Sequence, residues 1–447
     1  MVPVGLRAGT RSAARAAVSD VGGRAAVVVD VESSVRRGAL TSTASDTIVA
    51  GARTALAERL PFVAFLGSSG ADITEGVAAL HGWGAAARAL ADCSGTVPIV
   101  INVTGPAVSG PALLVGLADL VVMTDASYAF VSGPAMVAEF TGVQVGNDEL
   151  GGAAAHARHS GVASIVVDDV AACRDATASL LAYLPPNNDA EPPLWDSDDP
   201  VDRPTAEAAA VLPASASGTY DIRAVMGVVV DDGELLEVRE RFATNIVTAF
   251  ATIGGRPIGL VGNQPLSIAG TLDIQASQKA ARFVAFCDAF NLPIVTFVDT
   301  PGFYPGKDLE WRGMIRHGAQ LAFAYARASV PRVGVVLRKS FGGAYIVMDS
   351  KTMGNDIFLA WPTAEIAVMG ARQAAEILQR RTSAEERAAF EADYTGRLLN
   401  PYIAAERGYI DAVIAPADTR REIARALSVL DSKREHFQPR KHDNSPL

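Results

Sequence analysis

Cysteine is scarce in this sequence, and so is any grouping of residues that would bind a metal. The only three cysteines among the 447 residues are Cys93, Cys173 and Cys287. None forms a CxxC pair or stands near a histidine at the spacing of zinc ligands. We therefore expect no metal site, and we expect buried free thiols, as is typical of a protein from the reducing cytoplasm.

Excess positive charge and long apolar runs are also missing. The formal net charge is −10, which argues against nucleic acid as the main partner. No stretch approaches the roughly 20 apolar residues that span a bilayer. We therefore expect a cytoplasmic protein with neither a nucleic-acid nor a membrane partner. The N-terminus is rich in Arg, Ala and Ser, which leaves a transit peptide as the alternative.

What the chain does contain is an internal repeat. The run GGRAAVVVDV at Gly22 corresponds to GGRPIGLVGN at Gly254, which lies 232 residues later. The correspondence continues at this spacing and slips by one residue towards its end. Further matched pairs are Gly38 with Gly270, Leu40 with Leu272, Pro61 with Pro293, Gly70 with Gly302, Pro98 with Pro331, and Gly110 with Gly343. The two halves are duplicates.

Each half alternates short apolar runs with stretches of helical periodicity. Strand–helix alternation of this kind predicts an α/β fold with buried, mostly parallel sheets and helical crossovers. Between the halves lies a run rich in Pro, Asp and Asn, which predicts a linker near residues 185–218. We therefore expect two domains, at residues 1–210 and 211–447.

Small residues mark the same place in both halves. The second half has SFGGAYIVM around Gly343, and the first half has GPAVSGPALLV around Gly110. Each run follows a strand and opens a helix, so a substrate oxygen could reach the free N–H groups of the first helical turn. Such an oxyanion hole would suit a two-substrate reaction. A tight strand-to-helix turn without a ligand remains the alternative.

The second half contains four long, specific motifs: NQPLSIAGTLDIQASQKAARFVAFCDAFNLPIVTFVDTPGFYPG, FGGAY, LAWPTAEIAVMGA and NPYIAAERGYIDAVI. In these motifs the sequence strongly resembles the carboxyltransferase (beta) subunit of biotin-dependent acyl-CoA carboxylases, the acetyl- and propionyl-CoA carboxylase group. The resemblance extends from about residue 20 to the C-terminus and is most specific in the second half. The resemblance implies tandem duplicated crotonase-like domains of the ClpP-type ββα spiral, with acyl-CoA bound mainly by the first and biotin by the second.

The resemblance also implies a mechanism. Carboxybiotin on a carrier protein gives up CO2, and backbone N–H groups at Gly343 and Ala344 stabilise the resulting biotin enolate. The enolate of the coenzyme A thioester is held at Ser109 and Gly110, and its α-carbon attacks CO2. The implied partners are a biotin carboxylase and biotin carboxyl carrier subunit, in a homo-hexamer with dimer-built active sites. Further residues that we expect to contact substrate are Phe341, Gly342, Tyr345, Ile346, Pro111 and Gly70.

The first half departs from the family pattern. Asp72 and Ala154 stand where the family has arginines, which weakens any site for coenzyme A phosphates, unless those arginines are structural in the relatives. Ser109 stands where the family has the first glycine of the Gly-Gly pair in this oxyanion hole. Pro111 follows that pair and has no N–H to donate. The family also has N-terminal helices before the region with which this sequence starts.

Three functions remain open from the sequence. The first is an ordinary carboxyltransferase subunit for a small acyl-CoA, for which Ile346 would provide an apolar pocket unless it only packs in its helix. The second is a repurposed carboxyltransferase or decarboxylase that acts on a carrier-protein thioester or a small metabolite. The third is a non-catalytic partner that stabilises a hexamer.

Overall fold

The computed structural model describes residues 2–3, 12–215, 217–433, 435, 437–439 and 441–446. The chain forms two compact units that separate between Pro193 and Leu194. The first unit also includes Val238–Phe242 and Ala289–Asn291. The functional division expected between residues 210 and 211 stays a prediction.

A mostly parallel sheet of eight strands, counted over the described residues, forms the centre of the first unit. Its order is β1-β2-β3-β4-β5-β6-β8, and β7 pairs with β5. The strands are β1 (Val2–Pro3), β2 (Ala14–Val21), β3 (Arg24–Val31), β4 (Phe62–Ser68), β5 (Ile99–Val108), β6 (Leu120–Thr124), β7 (Tyr128–Phe130) and β8 (Ile165–Val167). Strands β2 and β3 form an antiparallel hairpin, and β3 to β6 run parallel.

Helices connect these strands and cover the sheet. They are α1 (Ser42–Glu58), α2 (Val77–Cys93), α3 (Gly110–Val115), α4 (Pro134–Thr141), α5 (Asn147–Gly151), α6 (Ala153–Ala155) and α7 (Val170–Tyr183). Alternate residues of β3, among them Val27 and Val29, are fully buried in one core with Ala52 of α1 and Phe62 of β4. Burial of each such large apolar side chain contributes about 1.5–3 kcal/mol.

The second unit repeats this sheet. The order is β16-β14-β13-β12-β11-β10-β9, and β15 pairs with β13. The strands are β9 (Leu236–Glu237), β10 (Ile246–Ile253), β11 (Arg256–Asn263), β12 (Ile294–Thr300), β13 (Arg332–Phe341), β14 (Ile357–Ala360), β15 (Glu365–Ala367) and β16 (Ala412–Val413). The duplication and the α/β fold that the sequence predicts are confirmed.

The helices of the second unit include those of the preceding connection. They are α8 (Glu207–Val211), α9 (Ile222–Val229), α10 (Ile274–Ala289), α11 (Lys307–Trp311), α12 (Met314–Arg327), α13 (Gly342–Val347), α14 (Ala371–Leu378), α15 (Ala384–Tyr394), α16 (Pro401–Glu406) and α17 (Thr419–Val429). Among the described residues, no helix has both the length and the apolar character needed to cross a membrane.

A buried ion pair fastens Leu194–Glu237, the stretch with which the second unit begins, to the rest of that unit. The Asp231 carboxylate accepts N–H groups from Gly254 at 2.9 Å and Gly255 at 2.8 Å, and the Arg420 guanidinium at 2.6 Å. Burial raises the pKa of Asp231, but these donors outweigh burial and hold it below its usual range. Arg420 is fully buried and also donates to the Pro200 carbonyl at 3.0 Å.

Replacing Arg420 by methionine should destabilise this unit by about 3–5 kcal/mol, because it leaves the buried Asp231 carboxylate without its cation. Urea unfolding followed by circular dichroism measures the change. The double variant Arg420→Met with Asp231→Asn should regain part of the loss. An unchanged unfolding midpoint in the single variant would show that the ion pair is not needed.

Candidate active site

The small-residue corner of the second unit joins β13 to α13. Phe341 is extended and caps the helix, so Gly342, Gly343 and Ala344 occupy its first turn, where amides have no partner within the helix. Gly342 has φ +61°, and a Cβ there would lie 3.1 Å from the Val368 carbonyl oxygen. Glycine adopts this φ without strain, and any side chain at Gly342 would crowd the Val368 carbonyl.

A cavity of about 470 Å³ lies beside this corner. Its volume is within the range of sites for small molecules. Burial is the main cause that raises the pKa of Tyr345 to about 12, and the electrostatic effect of Tyr409 raises it in the same direction. This phenol is therefore neutral at physiological pH. The lining residues are Gly342, Gly343, Tyr345, Ile346, Ile366, Ala367, Val368, Tyr394, Leu398, Ile403, Ala404, Arg407 and Tyr409.

The corresponding corner of the first unit joins β5 to α3. Ser109 stands where the second unit has Gly342, and it adopts φ +63° and ψ −119°. Its N–H donates to the Phe130 carbonyl at 2.9 Å, so the exposed hydroxyl is the group that Ser109 can offer to a ligand. A Cβ on Gly110 would lie 2.9 Å from the Trp83 ring, which excludes other residues there.

Pro111 and Gly70 complete the surroundings of this corner. Pro111 lies in the first turn of α3 and has no N–H. Its counterpart by the repeat is Ala344, which does have one. Gly70 follows β4 with φ +113°, and a Cβ there would lie 3.4 Å from the carbonyl oxygen of Val108. The Gly110 amide is therefore the donor that this helix start retains from the predicted pair.

The structure brings the predicted residues together within each unit. Gly342, Gly343, Tyr345 and Ile346 share the wall of one cavity, while Phe341 and Ala344 are buried beside them. Their catalytic and binding roles stay predictions.

Sequence reasoning missed one wall of the cavity. The segment that runs from the last residue of α15 to β16 contributes Tyr394, Leu398, Ile403, Arg407 and Tyr409. Part of that segment lies in NPYIAAERGYIDAVI, so the family motif contained a signal for these residues.

The two substituted arginine positions have different surroundings. Asp72 is buried, forms an ion pair with Arg36 at 2.7 Å, and accepts both the N–H and the hydroxyl of Thr74. The Thr74 bonds lower the pKa of Asp72, and Arg36 lowers it further. Asp72 therefore stabilises its own turn, whereas Ala154 is exposed and offers no polar group.

The sequence matches the Carboxyl transferase domain family over residues 11–445. The chain belongs to this family. It is 43% identical to the propionyl-CoA carboxylase beta chain of Saccharopolyspora erythraea, over 96% of this chain and 82% of the relative. It is 42% identical to the methylmalonyl-CoA carboxyltransferase 12S subunit of Propionibacterium freudenreichii subsp. shermanii, over 95% and 82%.

A solved structure agrees with the sequence relatives. The crystal structure of transcarboxylase 12S, a hexamer with hydrolysed methylmalonyl-coenzyme A bound, superimposes with a TM-score of 0.95 at 40% identity, over 97% of this chain and 85% of that one. The crotonase-like fold that the sequence predicts is confirmed. The chain is a carboxyltransferase subunit of the biotin-dependent acyl-CoA carboxylase type, and it is an enzyme.

The strained conformation of Ser109 provides a test of its role. Ser109→Gly should raise stability by about 1–3 kcal/mol, because glycine adopts a positive φ without strain. Ser109→Ala should leave the strain in place while removing the hydroxyl. If the hydroxyl contacts substrate, both variants should lose activity to a similar extent, although only the glycine variant raises the thermal midpoint. Full activity in both would remove Ser109 from the site.

Proposed function

We propose that this chain transfers a carboxyl group between biotin, carried on a partner protein, and the α-carbon of a short-chain acyl-CoA. The observation that supports this most directly is the second corner, where the Gly343 and Ala344 amides belong to the first turn of a helix beside a 470 Å³ cavity and have no partner within that helix. Backbone donors of this kind stabilise an oxygen that becomes negative during the reaction.

The second corner fits biotin. The Gly343 and Ala344 amides would hold the ureido oxygen, and the mainly apolar cavity would receive the ring system. When bound, carboxybiotin supplies the carboxyl group and afterwards a base for the α-proton of the thioester. The protein positions the ring and provides donors, which agrees with a site that contains no acidic or histidine side chain in its lining.

The first corner would hold the thioester carbonyl. The Gly110 amide is the backbone donor, and the Ser109 hydroxyl is the second candidate because its own N–H is bonded to Phe130. Removing one such donor typically costs about 3 kcal/mol of transition-state stabilisation.

The acyl group would contact Ile346, whose side chain is 38% exposed at the cavity wall. An apolar residue there favours an acetyl- or propionyl-type group. The propionyl-CoA and methylmalonyl-CoA names of the relatives support the same substrate class.

The partners would be a biotin carboxylase and carrier subunit, in the cytoplasm, and further copies of this chain. Large apolar side chains are strongly exposed in both units, including Ile73 at 93%, Phe140 at 78%, Trp311 at 76% and Ile315 at 82%. Contiguous exposed apolar surface marks protein interfaces, and these side chains are our candidates for such contacts. The 12S relative is a hexamer, and we propose the same assembly here.

The altered first corner favours one alternative acceptor. Because Pro111 removes an N–H and Asp72 and Ala154 remove positive charge, a carrier-protein thioester could replace the coenzyme A thioester as substrate. A rate comparison between the two thioesters distinguishes these acceptors.

The reaction can be tested in reverse without the partner subunits. Purified protein should decarboxylate methylmalonyl-CoA or malonyl-CoA only when free biotin is added, measured as released CO2. Ala344→Pro should lower this rate about 100-fold or more, because it deletes one donor. The first unit carries proline at the equivalent position, so the backbone tolerates it.

Ala344→Gly is the matched control, since it keeps the N–H and should retain most of the rate. A folded wild-type hexamer that releases no CO2 from either thioester, with or without biotin, would contradict coenzyme A thioesters as substrates. Equal rates for wild type and Ala344→Pro would contradict the assigned donor.

Acyl selection gives a separate prediction. Ile346→Ala enlarges the cavity, so it should shift the ratio of kcat/KM towards ethylmalonyl-CoA over methylmalonyl-CoA by about tenfold, the usual value of one or two methylene groups in an apolar pocket. Steady-state kinetics with both substrates measures the ratio. An unchanged ratio would place the acyl group away from Ile346.

A further inference from the structure

Strand β13 has two extra residues opposite β12. The parallel register pairs Val298 with Val336 and then Thr300 with Ser340. Asp299 on β12 therefore faces three residues on β13, Leu337 to Lys339. An irregularity of this kind bends the strand and leaves backbone groups without ladder partners.

The Asp299 carboxylate fills this gap. One oxygen accepts the Lys339 N–H at 3.0 Å. The other accepts the Tyr220 hydroxyl at 2.8 Å and the Arg338 Nε at 3.1 Å. Asp299 is only 1% exposed, so all three donors act in a site that excludes bulk water. Hydrogen bonds to a buried carboxylate are stronger than neutral ones.

Arg338 links this carboxylate to a second segment. Its Nη1 donates to the Gly218 carbonyl at 2.9 Å, and its guanidinium lies 5.3 Å from the centre of the Tyr220 ring. The bent part of β13 is thereby held by the residues that precede α9.

The bend in β13 sets the direction in which the strand enters α13, and so the orientation of the first amides of that helix. Before it, β13 pairs with β14 at Val333–Val336, and after it with β15 at Lys339–Phe341. The corner begins at the next residue, Gly342. A change in the bend would therefore move the Gly343 and Ala344 amides.

The first unit has the same irregularity without the ion pair. Leu66 pairs with Val103 and Ser68 with Ala107, so Gly67 faces three residues of β5. The counterparts of Asp299, Arg338 and Lys339 are Gly67, Gly105 and Pro106. Pro106 has no N–H that needs an acceptor, and a Cβ on Gly105 would lie only 3.5 Å from the Gly67 Cα. Both units therefore have the same bend. The second unit stabilises it with the Asp299 carboxylate and its donors, and the first with glycine and proline.

We propose that Asp299, bonded to Arg338, Tyr220 and the Lys339 amide, is a positioning residue that aims the Gly343 and Ala344 N–H groups at biotin. This inference rests on the proposed function, because it assigns those amides to biotin. Asp299 acts through the backbone and does not touch the reacting atoms.

Asp299→Asn tests the proposal in the biotin-dependent decarboxylation of methylmalonyl-CoA. The amide cannot accept all three donors, so kcat should fall about 100-fold, the effect of a misplacement of about 1 Å. KM for free biotin should rise more than KM for methylmalonyl-CoA, because biotin depends on the displaced amides themselves, whereas the thioester carbonyl is held by the first unit and only its acyl group contacts Ile346 of α13. Equal changes in both KM values, or no change in kcat, would overturn the proposal.

A matched variant carries the first unit's arrangement into the second. Asp299→Gly with Arg338→Gly, Lys339→Pro and Tyr220→Phe removes the carboxylate together with its donors. It should recover at least tenfold in kcat over Asp299→Asn if the backbone shape is what matters. Tyr220→Phe alone keeps two donors on the carboxylate and should lose only a few-fold. A combined variant no better than Asp299→Asn, at an equal thermal midpoint, would contradict this.

Hydrogen exchange of the peptide covering residues 338–346 tests, independently of turnover, whether Asp299 holds the backbone of the bend. Exchange should be faster in Asp299→Asn than in wild type, and slower again in the combined variant, with peptides of the first corner unchanged. If wild type shows no biotin-dependent activity, the proposed function fails while this measurement still tests the bend. Unchanged exchange in Asp299→Asn would overturn the role of Asp299.

Discussion

Both units depend on a strand that changes its neighbour before it ends. In each sheet one strand, β5 or β13, leaves one parallel partner, gains extra residues, and pairs with a short strand beyond the bend. The bend lets the chain pass directly from an extended strand into a helix whose first amides have no partner. The candidate oxyanion holes exist because of this backbone geometry, and the side chains around them maintain it.

A site made of backbone N–H groups explains why the sequence contains so little conventional catalytic chemistry. Amides are fixed by the fold and need no titration, so the residues that mark the site are those that let the backbone approach a ligand. Gly342 adopts its positive φ without strain, and Gly110 leaves room for the adjacent Trp83 ring. Both positions show in the sequence as short runs of small residues, which is why the two corners could be recognised as a pair.

Sequence analysis predicted what repeats or is local. The alternation of apolar runs predicted the sheets, and the 232-residue spacing predicted the duplication, because both depend on neighbours along the chain. It missed the wall formed by Tyr394 and Arg407, which folds back across about 50 residues of chain. It also could not show that the Ser109 N–H is bonded to Phe130, since that bond depends on where β7 pairs. Side-chain contacts across strands are set by tertiary packing and carry no local signature.

The differences between the duplicated corners follow a consistent pattern. In the first unit the bend contains Gly67, Gly105 and Pro106, which have no polar side chain to pair, and Pro106 has no N–H that needs an acceptor. In the second unit a buried carboxylate must satisfy a cation, a phenol and an amide together. A buried network of this kind is costly unless every member is bonded, but it restricts the backbone more tightly than small residues do. The tighter corner is the one that retains every amide, Gly343 and Ala344 included, whereas the looser one has exchanged an amide for Pro111. In this chain the corner with the buried network is also the corner with more backbone donors, as expected if the second corner has the more demanding geometry to maintain.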